Sequence, residues 1–160
     1  GLLDRCRRLR QYGWRTRYVS EEHGRNSRLD EIQAAILQVR LSRLARENAH
    51  RQMLAARYLT GLAGTTLRLP VTAAGRTHAW HQFVVRTPRR DDLKSCLETQ
   101  GILAGVLYPV PVHRQPAYAQ AVDLPHTEQA CAEVISLPLH PDLGLKEIDR
   151  VVQTVKNWSH

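Results

Sequence analysis

Nowhere in the 160 residues is there an apolar run approaching the roughly 18 that a membrane span requires, so no membrane insertion is expected. The opening GLLDRCRRLRQYGW lacks the continuous apolar stretch and small-residue cleavage site of a secretory leader, and cytoplasmic residence follows as the expectation. Cysteine is scarce: Cys6, Cys96 and Cys131 are odd in number, far apart and outside any CxxC spacing. That argues against a disulfide framework or a zinc site and predicts small buried apolar residues. Lysine is as rare, with only Lys94, Lys146 and Lys156, each on or near the polar face of an expected helix. None reads as a desolvated nucleophilic amine. P-loop, dinucleotide fingerprint, nucleophile elbow and HExxH are all missing, as are internal repeats and low-complexity segments.

What is present is an ordinary globular composition, 42% hydrophobic and 24% charged, in a chain long enough to bury about two thirds of its unfolded surface. The net charge of +8 is lopsided. Residues 1 to 60 carry 13 arginines against six carboxylates, a balance of +7, which leaves +1 for the rest. Such a field attracts anions: nucleic acid, a phosphorylated substrate or an acidic protein surface. The basic residues are not interleaved with aromatics and no nucleic-acid signature accompanies them, so nucleic acid is not the expected partner.

Periodicity outlines the elements. LLDRCRRLRQYG reads as a short helix stopped by Gly13, and Trp14 to Asn26 as a loop without period. Ser27 and Asp30 resemble a capping box. From there to about Leu62 one proline-free helix is predicted, with Leu29, Ile32, Ile36, Val39, Leu44, Met53, Leu54 and Tyr58 as its apolar positions. A helix this long usually bridges two bodies of structure. HAWHQFVVRT reads as a strand with Trp80, Phe83 and Val85 in the core, Arg89 to Gln100 as a helix, and ILAGVLY as a second strand ended by a proline-rich loop. TEQACAEVISLPL supplies a short helix and a third strand at Val134 to Leu137, and LKEIDRVVQTVKNW a closing helix. The expected fold class is α+β, with an α/β-like compact unit of about three short strands and three helices led by the long helix.

Three groups of residues offer chemistry. GRNSR, residues 24 to 28, reads two ways: Asn26 and Ser27 cap the helix, or the glycine, the asparagine amide and the amides of a helix start hold an anion. YPVPVH projects Tyr108 and His113 from the end of an expected strand on a stiff turn, a common place for site residues. His78 and His81 flank Trp80 without a nearby carboxylate and read as packed or surface histidines rather than metal ligands.

Taken in order, G-R-N-S-R-L-D-E-I-Q-A-A-I-L, the long helix, R-R-D-D-L with L-x-x-x-G-I, Y-P-x-P-V-H-x-Q-P-A-Y and S-L-P-L-H-P resemble the C-terminal part of the DegT/StrS family of pyridoxal-phosphate-dependent sugar aminotransferases. The resemblance spans nearly the whole chain. It implies part of a fold type I homodimer that moves an amino group, commonly from glutamate, to a nucleotide-linked keto sugar. It also implies that Asn26 reaches across the dimer to the cofactor phosphate. Arg28 would meet the carboxylate of the amino donor or another anionic group, and Tyr108 and His113 would lie on the substrate side. Residues 1–28 would be a remnant of the large cofactor domain with its cross-dimer loop, 29–64 the connecting helix and 65–160 the small C-terminal domain. The lysine that bonds the cofactor would precede Gly1, so the chain alone is expected to be inactive. A non-catalytic dimerisation or ligand-binding module is the alternative expectation.

Overall fold

Leu2, Leu3, Cys6 and Leu9 recur at helical spacing, and in the computed structural model, which describes residues 1–159, they lie on α1, Leu2–Leu9. The helix stops where Tyr12 and Gly13 take positive φ, 60° and 76°. The stretch after it is not the expected loop. It folds into a hairpin of β1, Trp14–Thr16, and β2, Val19–Ser20, paired antiparallel. Tyr18, also at positive φ, turns the hairpin with Arg17 over its ring at 4.8 Å. The helical period was absent here because the chain is extended, and strands this short are below what alternation reveals.

The long helix forms as one piece: α2, Glu31–Gly61. Its start corrects the capping expectation: with the first helical residue at Glu31, Asp30 itself takes the cap position, its carbonyl accepting from the Ala34 amide at 2.8 Å, and Ser27 lies three residues before it. The chain divides into two compact units, Gly1–Leu44 and Ala45–His160, with the boundary inside α2. They differ in kind. The buried apolar side chains all lie between Leu54 and Val155, whereas Leu29, Ile32, Ile36 and Val39 in the first unit are each more than half exposed.

In the second unit, β3, Phe83–Arg86, pairs antiparallel with β4, Val134–Leu137, placing Phe83 opposite Leu137 and Val85 opposite Ile135. Those four side chains alternate inward, as period-two strands require, and meet Leu54 and Tyr58 of α2. Between the strands come α3, Arg90–Thr99, and α4, Pro125–Glu133; α5, Leu145–Ser159, closes the chain. The fold class is the expected α+β, with two strands in this unit instead of three.

ILAGVLY is the missing strand. Its alternation is real, since Ile102 is buried and Ala104 and Val106 pack against the core while Leu103 and Leu107 are exposed. Its backbone, however, pairs only at Gly105, which exchanges both bonds with Ser136. An antiparallel ladder turns alternate residues to opposite edges. The outer edge of the four-residue β4 therefore offers Val134 and Ser136, and the Val134 carbonyl already accepts from the Arg90 guanidinium at 3.5 Å. One position remains, and one bridge forms. The cysteines correct a further expectation: Cys6 is exposed and Cys96 and Cys131 only half-buried.

Candidate functional site

GRNSR is held by backbone, not by caps. The Arg25 amide donates to the Leu9 carbonyl at 2.7 Å, the Tyr12 amide to Arg25 at 3.1 Å, and the Ser27 amide to Arg10 at 3.0 Å. Asn26 forms a bridge with Gln11. The segment thus runs alongside the end of α1 and the turn after it, joined by one bridge and these amide bonds. Gly24 is explained by this contact: a Cβ there would meet the Gly13 nitrogen at 2.1 Å and the Tyr12 carbonyl carbon at 2.5 Å. The close approach that its glycine permits is to this chain's own backbone.

Stapling the segment leaves the Asn26 and Arg28 side chains exposed. Arg28 lines a cleft of about 660 Å³ together with Arg10, Arg15 and Arg17 and the rings of Tyr12, Trp14 and Tyr18. The rings form a chain of contacts, Tyr12 to Trp14 at 5.1 Å and Trp14 to Tyr18 at 5.2 Å between centroids. The carboxylates nearby are already occupied: Glu22 by Arg8 at 2.9 Å and Arg5 at 3.5 Å, and Glu21 by Arg15 at 3.1 Å. Arg10, Arg17 and Arg28 make no ion pair among the described residues, so the cleft keeps a positive excess beside aromatic faces. That combination suits an anion carrying an aromatic ring. Two of its residues, Tyr12 and Tyr18, hold the left-handed backbone that costs a non-glycine residue on the order of 1 kcal/mol or more and clusters at functional sites.

Sequence reasoning singled out Asn26 and Arg28, which the structure leaves exposed, and did not foresee the cleft. The signal was the spacing of Arg10, Trp14, Arg15, Arg17 and Tyr18, which becomes a concave surface only when the hairpin folds. The remaining two candidates lie in the second unit. Tyr108 is 68% exposed, whereas His113 is buried at 8%. His113 sits in a short 3₁₀ turn, Val112–Arg114, with its Nε2 2.9 Å from Glu128 Oε1. Arg114 donates to the same oxygen, from Nε at 2.9 Å and Nη2 at 2.7 Å. The hydrogen bond from His113, and next those from Arg114, hold the Glu128 carboxyl below the usual glutamate range. Glu128 was also missed, since nothing local marks a carboxylate on the first turns of α4 as the partner of a histidine 15 residues earlier.

No lysine accompanies these residues as a poised amine. Lys94 pairs with Glu98 on α3, Lys146 is exposed and Lys156 is half-buried on α5. Among the described residues no cluster of histidine, cysteine and carboxylate has the makings of a metal site, and no helix is long and apolar enough to cross a membrane.

Known proteins are similar to this chain over nearly all of its length. The dTDP-3-amino-3,4,6-trideoxy-alpha-D-glucose transaminase of Streptomyces venezuelae is 47% identical over 163 residues, covering 99% of this chain and 43% of the relative. The UDP-N-acetyl-3-dehydro-alpha-D-glucosamine 3-aminotransferase of Acidithiobacillus ferrooxidans is 36% identical, covering 99% and 44%. The crystal structure of S. venezuelae DesV in complex with a ketimine intermediate superposes with a TM-score of 0.93 at 47% identity, over 99% of this chain and 44% of that one. The chain therefore spans somewhat under half the length of the relatives it matches. The sequence pattern of one family runs through residues 1–156, and the chain belongs to the DegT/DnrJ/EryC1/StrS aminotransferase family.

Proposed function

We propose that this chain forms the C-terminal part of a pyridoxal-phosphate-dependent transaminase that moves an amino group from an amino acid, glutamate in the first instance, to a nucleotide-linked keto sugar. The observation that carries the reading is the stapled GRNSR segment, which leaves Asn26 and Arg28 exposed and lines one wall of an arginine-rich, aromatic cleft with Arg28. In the proposed homodimer, Asn26 donates its amide to the cofactor phosphate of the partner's site. Arg28 pairs with the donor carboxylate or another anionic group. The other cleft arginines attract the diphosphate of the sugar nucleotide, with Trp14 and Tyr18 offering faces to its base. Within the second unit the exposed Tyr108 is the substrate-side residue, and the buried His113 serves it through the loop they share.

The residues present fit the phosphate end of the cofactor and no more. When bound, pyridoxal phosphate supplies the electron sink for breaking bonds at the donor's α-carbon. The unit that holds Asn26 contains no lysine at all, and the three lysines of the other unit lie on helices or beside them. The chain alone is therefore proposed to be inactive, with the amine supplied by polypeptide outside these 160 residues.

The test has two arms. Incubation with pyridoxal phosphate and borohydride is expected to leave no single lysine stoichiometrically labelled, and such labelling refutes the inactivity. Calorimetry with thymidine diphosphate is expected to show binding that Arg28→Ala together with Arg17→Ala weakens by about tenfold or more, as loss of charge-assisted contacts requires. Equal heats for wild type and variant remove the cleft from the reading. The second reading, a dimerisation module without catalysis, draws on the exposed Leu29, Ile32, Ile36 and Val39 of α2. Dimers in sedimentation without any nucleotide binding favour it.

A further inference from the structure

The segment from Val106 to Asp123 carries Tyr108 and is tied to its surroundings in an unusual way. Its backbone bonds close within itself: the Arg114 amide on Pro111, Gln115 on Val112, Tyr118 on Gln115, Gln120 on His113 and Val122 on Gln120. The Gln115 side chain also turns back, onto the Val110 carbonyl. Among the described residues two side chains send hydrogen bonds out of the segment, His113 and Arg114, and both end on Glu128 Oε1. His113 is also the one fully buried residue of the stretch. Three prolines, Pro109, Pro111 and Pro116, fix φ along it, so the segment is stiff, and one side-chain clasp between its two chain ends is enough to orient it.

We propose that Glu128 is the positioning residue for this segment: one carboxylate oxygen, clasping the His113 imidazole and the Arg114 guanidinium together, sets the arrangement in which Tyr108 is presented. Charge-assisted bonds to a single acceptor are strong and directional, and the depressed acidity constant of Glu128 is the electrostatic counterpart of the same contact. Glu128 touches no substrate in this proposal. It acts through the loop, from the first turns of α4, whose own place is set by the β4 strand that follows it.

The inference rests on Tyr108 facing the substrate, but its test needs neither substrate nor cofactor, so its failure and the failure of the transaminase reading are seen separately. Amide hydrogen exchange is measured on the whole 160-residue chain, wild type against Glu128→Ala and Glu128→Gln. In Glu128→Ala the amides of Arg114, Gln115, Tyr118 and Gln120 are expected to exchange about tenfold faster or more, with those of β3 and α5 within about twofold. Glu128→Gln keeps an acceptor oxygen but not the charge and is expected to recover part of the protection, standing between wild type and Glu128→Ala. Unchanged loop amides in Glu128→Ala overturn the proposal. So does acceleration spread evenly over the second unit, since that marks Glu128 as a residue of general stability and not of the loop.

Discussion

Replacing Gly24 by alanine separates two accounts of the GRNSR motif. If the glycine is there to let a ligand approach, the free chain folds unchanged and only binding suffers. The geometry says otherwise. The added Cβ would lie 2.1 Å from the Gly13 nitrogen, 2.5 Å from the Tyr12 carbonyl carbon and 2.7 Å from the Leu9 carbonyl oxygen. All three are backbone atoms, so no rotamer change relieves the overlap, and ordinary contact is reached only if the segment moves off by about 1 Å or more. Three bonds depend on that approach: Arg25 to Leu9, Tyr12 to Arg25 and Ser27 to Arg10. At about 1 kcal/mol net apiece their loss costs about 3 kcal/mol of local stability, or about a hundredfold in local opening. The first unit has no buried apolar cluster to absorb such a loss, because the core lies between Leu54 and Val155. Exchange of the Arg25 and Ser27 amides in Gly24→Ala is therefore expected to rise by about two decades, with the near-ultraviolet dichroism of the Tyr12, Trp14 and Tyr18 group altered and the second unit untouched. Exchange within about threefold of wild type, with an unchanged aromatic signal, refutes the argument from contact and returns Gly24 to the ligand.

Further outcomes follow from the second unit. Tyr58→Phe removes the buried phenol that donates to the Pro138 carbonyl at 2.9 Å, so unfolding in urea is expected to show a loss of about 1–3 kcal/mol at an unchanged slope. Gly105→Ala is the opposite case: its Cβ would stand 4.0 Å from the Ser136 Cβ, an ordinary contact, and stability is expected to change by no more than about 0.5 kcal/mol. The Glu128 clasp carries a sign in pH. Since its carboxyl is held below the usual range, the clasp is fully formed above the ordinary glutamate value and is lost only as pH falls through the lower, folded value. The side-chain carboxyl carbon of Glu128 followed by NMR should accordingly titrate below that ordinary range. A midpoint at or above the value of a free glutamate contradicts the clasp.

What could be read from the sequence and what could not divide along a physical line. α2 was legible because a proline-free apolar period over 30 residues is a local property, and Phe83 and Val85 announced themselves by spacing alone. Asn26 and Arg28 were legible as candidates only through motif order, since locally they looked equally like a cap. Several of the failures concern pairs distant in sequence. ILAGVLY has the alternation of a strand, yet whether it becomes one was decided by a free edge on β4 that Arg90 had already half used. The cleft arginines were counted as a charge excess but not as a surface, because the turn that gathers them depends on Tyr12 and Tyr18 in backbone conformations their residue types disfavour. His113 was read as a group for the substrate, and its burial against Glu128 moves the argument one step inward: a residue in a motif can matter by holding the loop, leaving contact to its neighbour. The same logic holds for Gly24, whose place in the motif reflects an internal contact. In both places the residues proposed to touch a ligand are the ones left exposed while other members of the motif hold the segment.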